Sequence, residues 1–210
     1  MTFNDFPPAF FVTGTDTGIG KTVVSAMLTK GLGATYWKPV QSGLEEETDT
    51  EAVKRLTELP EAHFKEETYR LTEPLSPHAS AAIDGVNISM AAFTPPDYST
   101  DHLLVEGAGG LLVPLNDDKM IIDLIQQLDI PVLLVVRSEL GTLNHTFLSL
   151  EALRKRNISI LGVIMNGPKN ESNRQAIEYY GKTSILAEIE PIKILNNRVL
   201  QEKFNQFFGS

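Results

Sequence analysis

The chain has 210 residues, 42% of them hydrophobic and 21% charged, enough for one core of comfortable size, so positions 1–210 read as a single domain. Its formal charge of −9 argues against a general affinity for nucleic acid or an anionic membrane, while leaving room for a local anion cradle. The absence of cysteine excludes disulfides, thiolate zinc sites and thiol nucleophiles.

Met1 to Pro8 has no basic region before an apolar core and does not read as a signal peptide; Pro7-Pro8 is expected to end a disordered start. No run approaches the roughly 18 uninterrupted apolar residues of a membrane span, so a soluble, cytoplasmic protein is the expectation. Ala9 to Thr13 reads as a first strand, apolar on both faces like a central parallel strand. It leads into Gly14-Thr15-Asp16-Thr17-Gly18-Ile19-Gly20-Lys21-Thr22, followed by a helix from Thr22 to Leu32. Strand, glycine-rich turn and helix in that order form a phosphate cradle. Lys21 would reach the β/γ-phosphates and Thr22 would offer its hydroxyl to Mg²⁺. The usual G-x-x-x-x-G-K-[ST] pattern fits imperfectly, because Thr15 occupies the first glycine position and Gly14 stands one place earlier.

A second strand is expected over Thr35 to Lys38, and Pro39 biases Lys38 toward extended backbone. Glu45-Glu46-Glu47 reads as a solvated loop, and Thr48 or Asp49 as the cap of a helix over Thr50 to Leu59. Pro60 to Asp101 is rich in Pro, Thr and Ser and is read as a crossover with insertions, with a short helix near Ile88 to Phe93. His102 to Glu106 is the next strand, broken by Gly107-Ala108-Gly109-Gly110. Then follow a helix over Met120 to Leu128, a strand over Pro131 to Val136 and a helix over Thr142 to Arg156. A strand over Ile160 to Met165, a helix over Glu171 to Tyr180, a strand over Ile185 to Ile189 and a helix over Asn196 to Phe208 complete the chain. Strands alternating with helices throughout predict an α/β fold with a doubly wound, mostly parallel sheet flanked by helices.

Ligands of such a sheet bind beyond the carboxyl ends of its strands. Thr17, Lys38, Ser42, Glu106 and Asn166 all fall there. Glu106 ends four residues of strand and runs into glycines, which suits a metal ligand better than a core. Asp49 is a second carboxylate within reach if its loop folds over the cradle, and a helix cap is the alternative. Lys38 would bring a second ammonium to the transferring phosphoryl group. His78 has nothing near it that spells a metal site or a Ser/His/Asp arrangement.

The Gly14–Thr22 loop resembles the shifted phosphate loop of the dethiobiotin synthetase family, within the P-loop NTPase superfamily. The resemblance continues through Lys38-Pro39-Val40-Gln41-Ser42-Gly43, Ser76-Pro77-His78, Val105-Glu106-Gly107-Ala108-Gly109-Gly110 and Leu140-Gly141-Thr142-Leu143-Asn144-His145, in family order and spacing. It implies an ATP-dependent cyclo-ligase of biotin biosynthesis that closes the ureido ring of dethiobiotin from 7,8-diaminononanoate and CO₂. By the same resemblance Lys21 is the phosphate-loop lysine and Lys38 contacts the carbamate and γ-phosphate. Gly18, Ile19, Gly20 and Val23 belong to the nucleotide loop, and Thr22, Asp49 and Glu106 form the Mg²⁺ shell. Thr17 and Ser42 fall at substrate-side positions, and Gly107, Ala108 and Gly109 line the site. Gly141, Thr142, Leu143 and Asn144 correspond to a segment that reaches across a homodimer interface to the partner's substrate, and Asn166 to the adenine contact.

Three departures stand out. Gly18 replaces an acidic side chain of some members, Gly167 stands where aspartate is common, and Glu188 to Ile192 only loosely resembles the family segment bordering the adenine. The last two leave nucleoside specificity open. A partition-type switch ATPase is the rival class; it carries an additional lysine near the start of its loop, where this chain has Thr15 and Asp16. An amidating enzyme of the same fold would need a glutamine-hydrolysing domain, for which there is neither length nor cysteine.

Overall fold

The computed structural model describes residues 1–209. Strands β1 (Ala9–Gly14), β2 (Thr35–Trp37), β4 (Phe64–Lys65), β6 (Leu103–Gly110), β7 (Val132–Arg137), β8 (Ile160–Asn166) and β9 (Ile185–Ile189) form a seven-stranded sheet in the order β4-β2-β6-β1-β7-β8-β9. Every pairing in it is parallel. The chain leaves β1 to one side and returns through β6 to continue on the other, which makes the sheet doubly wound.

Helices α1 (Lys21–Leu32), α2 (Asp49–Thr57) and α7 (Asn197–Phe208) cover one face, over a core of Phe10, Val12, Tyr36, Leu104, Leu133 and Ile164. Helices α4 (Ile121–Leu128), α5 (Thr142–Lys155) and α6 (Glu171–Gly181) cover the other, over Phe11, Val105, Leu134 and Val136. Alternate residues of one strand thus feed opposite cores, as the pleat requires. Central strands are apolar on both faces because helices cover both. α1 and α7 meet closely at Gly31, where an added Cβ would lie 1.9 Å from the Phe204 ring.

Four sequence expectations are corrected, and one pair of alternatives is resolved. The start is ordered: Phe3–Asp5 form a 3₁₀ turn, and buried Phe6 packs against Phe10, Phe204 and Phe208. Of the two candidate caps, Thr48 takes the role, accepting from the Glu51 amide while Glu51 reaches back to the Thr48 amide. Asp49 becomes the first residue of α2, its carboxylate free to point elsewhere. The crossover holds more structure than weak periodicity implied: β3 (Val40–Ser42) pairs in parallel with β5 (Tyr69–Leu71), and Pro77–Asp84 is a helix, α3. Near Ile88 to Phe93 only a 3₁₀ turn forms, Met90–Ala92. Finally, β6 continues through Gly107-Ala108-Gly109-Gly110 rather than breaking there.

That continuation has a packing reason. A Cβ at Gly107 would stand 2.7 Å from the Phe11 ring, so the strand needs glycine to stay beside β1.

Candidate active site

The turn from β1 into α1 takes left-handed backbone at Gly18 (φ 71°) and Gly20 (φ 89°), a conformation glycine adopts without a Cβ penalty. Gly20 is doubly constrained, since an added Cβ would fall 2.1 Å from Asn166 Nδ2. Asn166, at the end of β8, donates to the Ile19 carbonyl at 2.8 Å and braces the loop from beneath. Lys21 spans the loop to the Asp16 carbonyl at 3.0 Å. The Asp16 carboxylate accepts from the Thr17 amide at 2.8 Å and pairs with Arg137 at 2.7 Å. Arg137 escaped the sequence reading, because nothing in an apolar strand ending in arginine marks its partner.

Register brings the rest together. Trp37 lies beside Val105, so Lys38, the residue after β2, comes next to Glu106 within β6. The Lys38 ammonium sits 2.5 Å from Asp49 Oδ2, 3.3 Å from Glu106 Oε1 and 3.1 Å from the Gly107 carbonyl. Thr22 Oγ1 donates to Asp49 Oδ1 at 2.7 Å and lies 3.2 Å from Glu106 Oε1. Tyr36 donates to Glu106 Oε2 at 3.1 Å. Gln41, also missed in the sequence, accepts from the Asp49 amide at 3.2 Å and donates to the Ser42 and Gly43 carbonyls, fixing the loop that carries Asp49.

Burial and charge pull these groups in different directions. Burial, helped by the nearby Lys38, takes the Lys21 ammonium below the ordinary lysine range. Burial acts on Lys38 in the same sense, but Glu106 and Asp49 outweigh it and hold that ammonium above its usual range. Burial works against ionisation of Asp49 too, yet Lys38 and Thr22 keep its carboxyl below the ordinary value. Lys38 and Asp49 thus each favour the charged form of the other.

Thr17, Lys21, Thr22, Lys38, Ser42 and Asp49 line one cleft of about 720 Å³, closed on the far side by Ser76 and Pro77 at the start of α3. Gly18, Gly20, Ala108 and Gly109 complete its rim. The Ser42 hydroxyl is buried there without a hydrogen-bond partner among the described residues. His78 is turned to Ser76, 3.0 Å away. Ile19 is buried in the core, and Val23 and Gly107 stand behind the cleft lining. The segment Gly141 to Asn144 does not border the cleft; Thr142 spends its hydroxyl on the Arg137 carbonyl at 2.6 Å, and Asn144 is exposed. Gly167 donates to the Ile189 carbonyl at 2.9 Å, and a Cβ there would meet Ser138 Oγ at 2.4 Å, so this chain has no room for the family's aspartate.

Two carboxylates and a hydroxyl form a hard-oxygen set of the kind Mg²⁺ uses when phosphate and water complete its shell. No group of three or more His, Cys, Asp or Glu suited to a metal occurs among the described residues, so an all-protein cage is not formed.

A parallel sheet whose first strand enters a glycine-rich loop, with Lys-Thr opening the next helix, defines a P-loop nucleotide-binding protein. Residues 8–199 match the AAA domain family. The chain is 50% identical over 183 residues to the ATP-dependent dethiobiotin synthetase BioD of Paramagnetospirillum magneticum, covering 87% of each chain. It is 47% identical over 199 residues to the protein of that name from Bradyrhizobium diazoefficiens, covering 95% of this chain and 94% of the other. A longer relative, the biotin biosynthesis bifunctional protein BioCD of Bordetella avium, is 49% identical over 191 residues, and the chain spans 41% of its length. The chain belongs to the ATP-dependent dethiobiotin synthetases, ligases that form carbon–nitrogen bonds with ATP as co-substrate. Among solved structures, a ParA family ATPase from Chlorobium tepidum superposes with a TM-score of 0.52 at 13% identity, covering 97% of this chain and 90% of that one. A putative plasmid partition protein from Borrelia burgdorferi gives 0.54 at 12% identity, covering 96% of each. At such identity the likeness concerns the fold alone.

Proposed function

We propose that the chain, as a single ligase domain, closes the ureido ring of dethiobiotin from 7,8-diaminononanoate and CO₂, releasing ADP and phosphate. One amine of the substrate takes up CO₂ and loses a proton to give a carbamate. A carbamate oxygen attacks the γ-phosphorus, ADP departs, and a carbamic-phosphoric anhydride remains. The neighbouring amine then attacks the carbamoyl carbon, the ring closes, and phosphate leaves with the electron pair of the broken C–O bond and takes up the proton that the amine gives up. The observation that carries this reading is the convergence on one cleft of two lysine ammoniums with Ser42, whose buried hydroxyl lacks a protein partner.

The residues take the following roles. Lys21 and the loop amides of Gly18, Ile19, Gly20 and Val23 hold the phosphates, and Lys38 meets the carbamate and γ-phosphate. Thr17 and Ser42 orient the diamine, and Gly107, Ala108 and Gly109 shape the wall beside it. Thr22, Asp49 and Glu106 would hold Mg²⁺, which neutralises charge on the phosphoryl oxygens when bound. Asn166 and Gly167 border the base. Little covalent chemistry falls to the protein; positioning and electrostatics supply the rate. An ATP-consuming ligase draws on the cytoplasmic nucleotide pool, and we place it there. No helix among the described residues is long and apolar enough to cross a membrane.

The decisive experiment measures phosphate release with ATP, Mg²⁺ and bicarbonate, with and without 7,8-diaminononanoate. Diamine-dependent release with dethiobiotin as product is expected. Turnover indifferent to diamine and bicarbonate, with no dethiobiotin, would favour the partition-type reading instead.

We also propose a homodimer in which Gly141, Thr142, Leu143 and Asn144 complete the partner's substrate site. Exposed Asn144, off its own cleft, and fully exposed Leu140 support this. Mixing Lys21→Ala chains with Asn144→Ala chains, each nearly inactive alone, tests it. In a mixed dimer one site escapes both defects, so with equal random exchange activity is expected to return toward about a quarter of the parent, on the premise that chain-borne defects act at separate sites. No recovery despite demonstrated subunit exchange would show that Asn144 does not serve the partner.

A further inference from the structure

Tyr36 is a fully buried side chain in the middle of β2, a place where a phenylalanine would pack equally well. Its register partner on β6 is Leu104, so Glu106, two residues on, projects to the same face of the sheet. The hydroxyl reaches Glu106 Oε2 at 3.1 Å, while Thr22 and Lys38 both lie against Oε1, at 3.2 and 3.3 Å. The two oxygens of this buried carboxylate thus have separate partners. A glutamate χ3 torsion is broad and nearly two-fold, so packing alone does not decide how the carboxylate plane is turned. The Tyr36 hydroxyl is the donor that Oε2 has among the described residues, and it leaves Oε1 toward Thr22 and Lys38, which line the cleft.

We propose that Tyr36 is a positioning residue for the metal site: its hydroxyl locks the Glu106 carboxylate so that Oε1 is presented beside Thr22 and Asp49 to a divalent cation. This rests on the reading of Thr22, Asp49 and Glu106 as the Mg²⁺ shell.

The test uses Mn²⁺ as the probe cation on the full chain with ADP present, reading free Mn²⁺ by electron paramagnetic resonance. ADP affinity in EDTA and the melting temperature are measured beside it. Tyr36→Phe removes one atom and keeps the ring that fills the core. The Mn²⁺ dissociation constant is expected to rise about tenfold, with metal-free ADP affinity within twofold of the parent; a structural residue would lower the melting temperature and leave Mn²⁺ affinity alone. Placing 4-aminophenylalanine at position 36 restores a donor and should bring Mn²⁺ affinity back toward the parent. Glu106→Gln separates the two layers of the argument, since it must weaken Mn²⁺ binding if the shell is correctly read. Weakened binding in Glu106→Gln with parental affinity in Tyr36→Phe overturns the role of Tyr36 alone. Parental affinity in both overturns the shell and the positioning role together.

Discussion

Lys38→Gln should bind ATP within a few-fold of the parent by calorimetry and yet make dethiobiotin about 10²-fold more slowly or worse, the scale of roughly 3 kcal/mol for one lost electrostatic contact in a transition state. Glutamine keeps hydrogen-bonding capacity and removes only the charge. That charge stands between Asp49 and Glu106, at 2.5 and 3.3 Å. Its loss removes the cation in direct contact with both acids around Thr22, and the variant is expected to melt below the parent. Mg²⁺ should then raise its melting temperature by more than it raises the parent's, because the cation replaces the missing charge. Lys38→Arg should recover only part of the activity, since a planar fork does not fit where a compact ammonium touches two carboxylates and a carbonyl. An effect confined to KM, with kcat untouched, would place Lys38 in ground-state binding and remove it from the reacting centre.

Lys21→Ala is expected to cost about 10²-fold or more in kcat as well, again roughly 3 kcal/mol, but with a different signature. Lys21 also holds the loop, through its own Asp16 carbonyl at 3.0 Å. Truncation therefore removes both a phosphate contact and a strap across the loop, and nucleotide affinity should fall together with turnover. Stopped-flow fluorescence of a labelled nucleotide measures the first and dethiobiotin formation the second. Turnover within threefold of the parent would sink the phosphate-loop assignment.

Much of this arrangement was legible in the sequence because it is local. The apolar runs of β1, β7 and β8 announce buried parallel strands, and Gly18-Ile19-Gly20-Lys21-Thr22 announces the cradle, without knowledge of anything distant. α3 carries no hydrophobic stripe because Ala and Ser fill half of its positions, although Pro77 at its start and Gly85 after its end are signals available to a stricter reading. β3 and β5 escaped because three-residue strands carry no alternation and their pairing is entirely non-local. The glycines of β6 read as a break because glycine is rare in strand interiors; the Phe11 ring beside Gly107 and Val113 beside Gly109 explain two of them only in three dimensions. The contacts of Glu106 belong to the same class: Tyr36 and Glu106 lie 70 residues apart, and only strand register puts the phenol beside the carboxylate.

Asn166 has a consequence for anyone wishing to retune this ligase to another nucleoside triphosphate. The obvious place to edit a purine pocket is the side chain expected to read the base, yet here the same amide strut grips the Ile19 carbonyl and presses on Gly20. With Asn166 reading the base as proposed, base choice and loop rigidity would run through one residue, and a library randomised at position 166 would trade discrimination against turnover rather than explore the two independently. Rim positions beyond β8, such as Glu188 and Glu190, offer a freer handle, because among the described residues neither touches the loop.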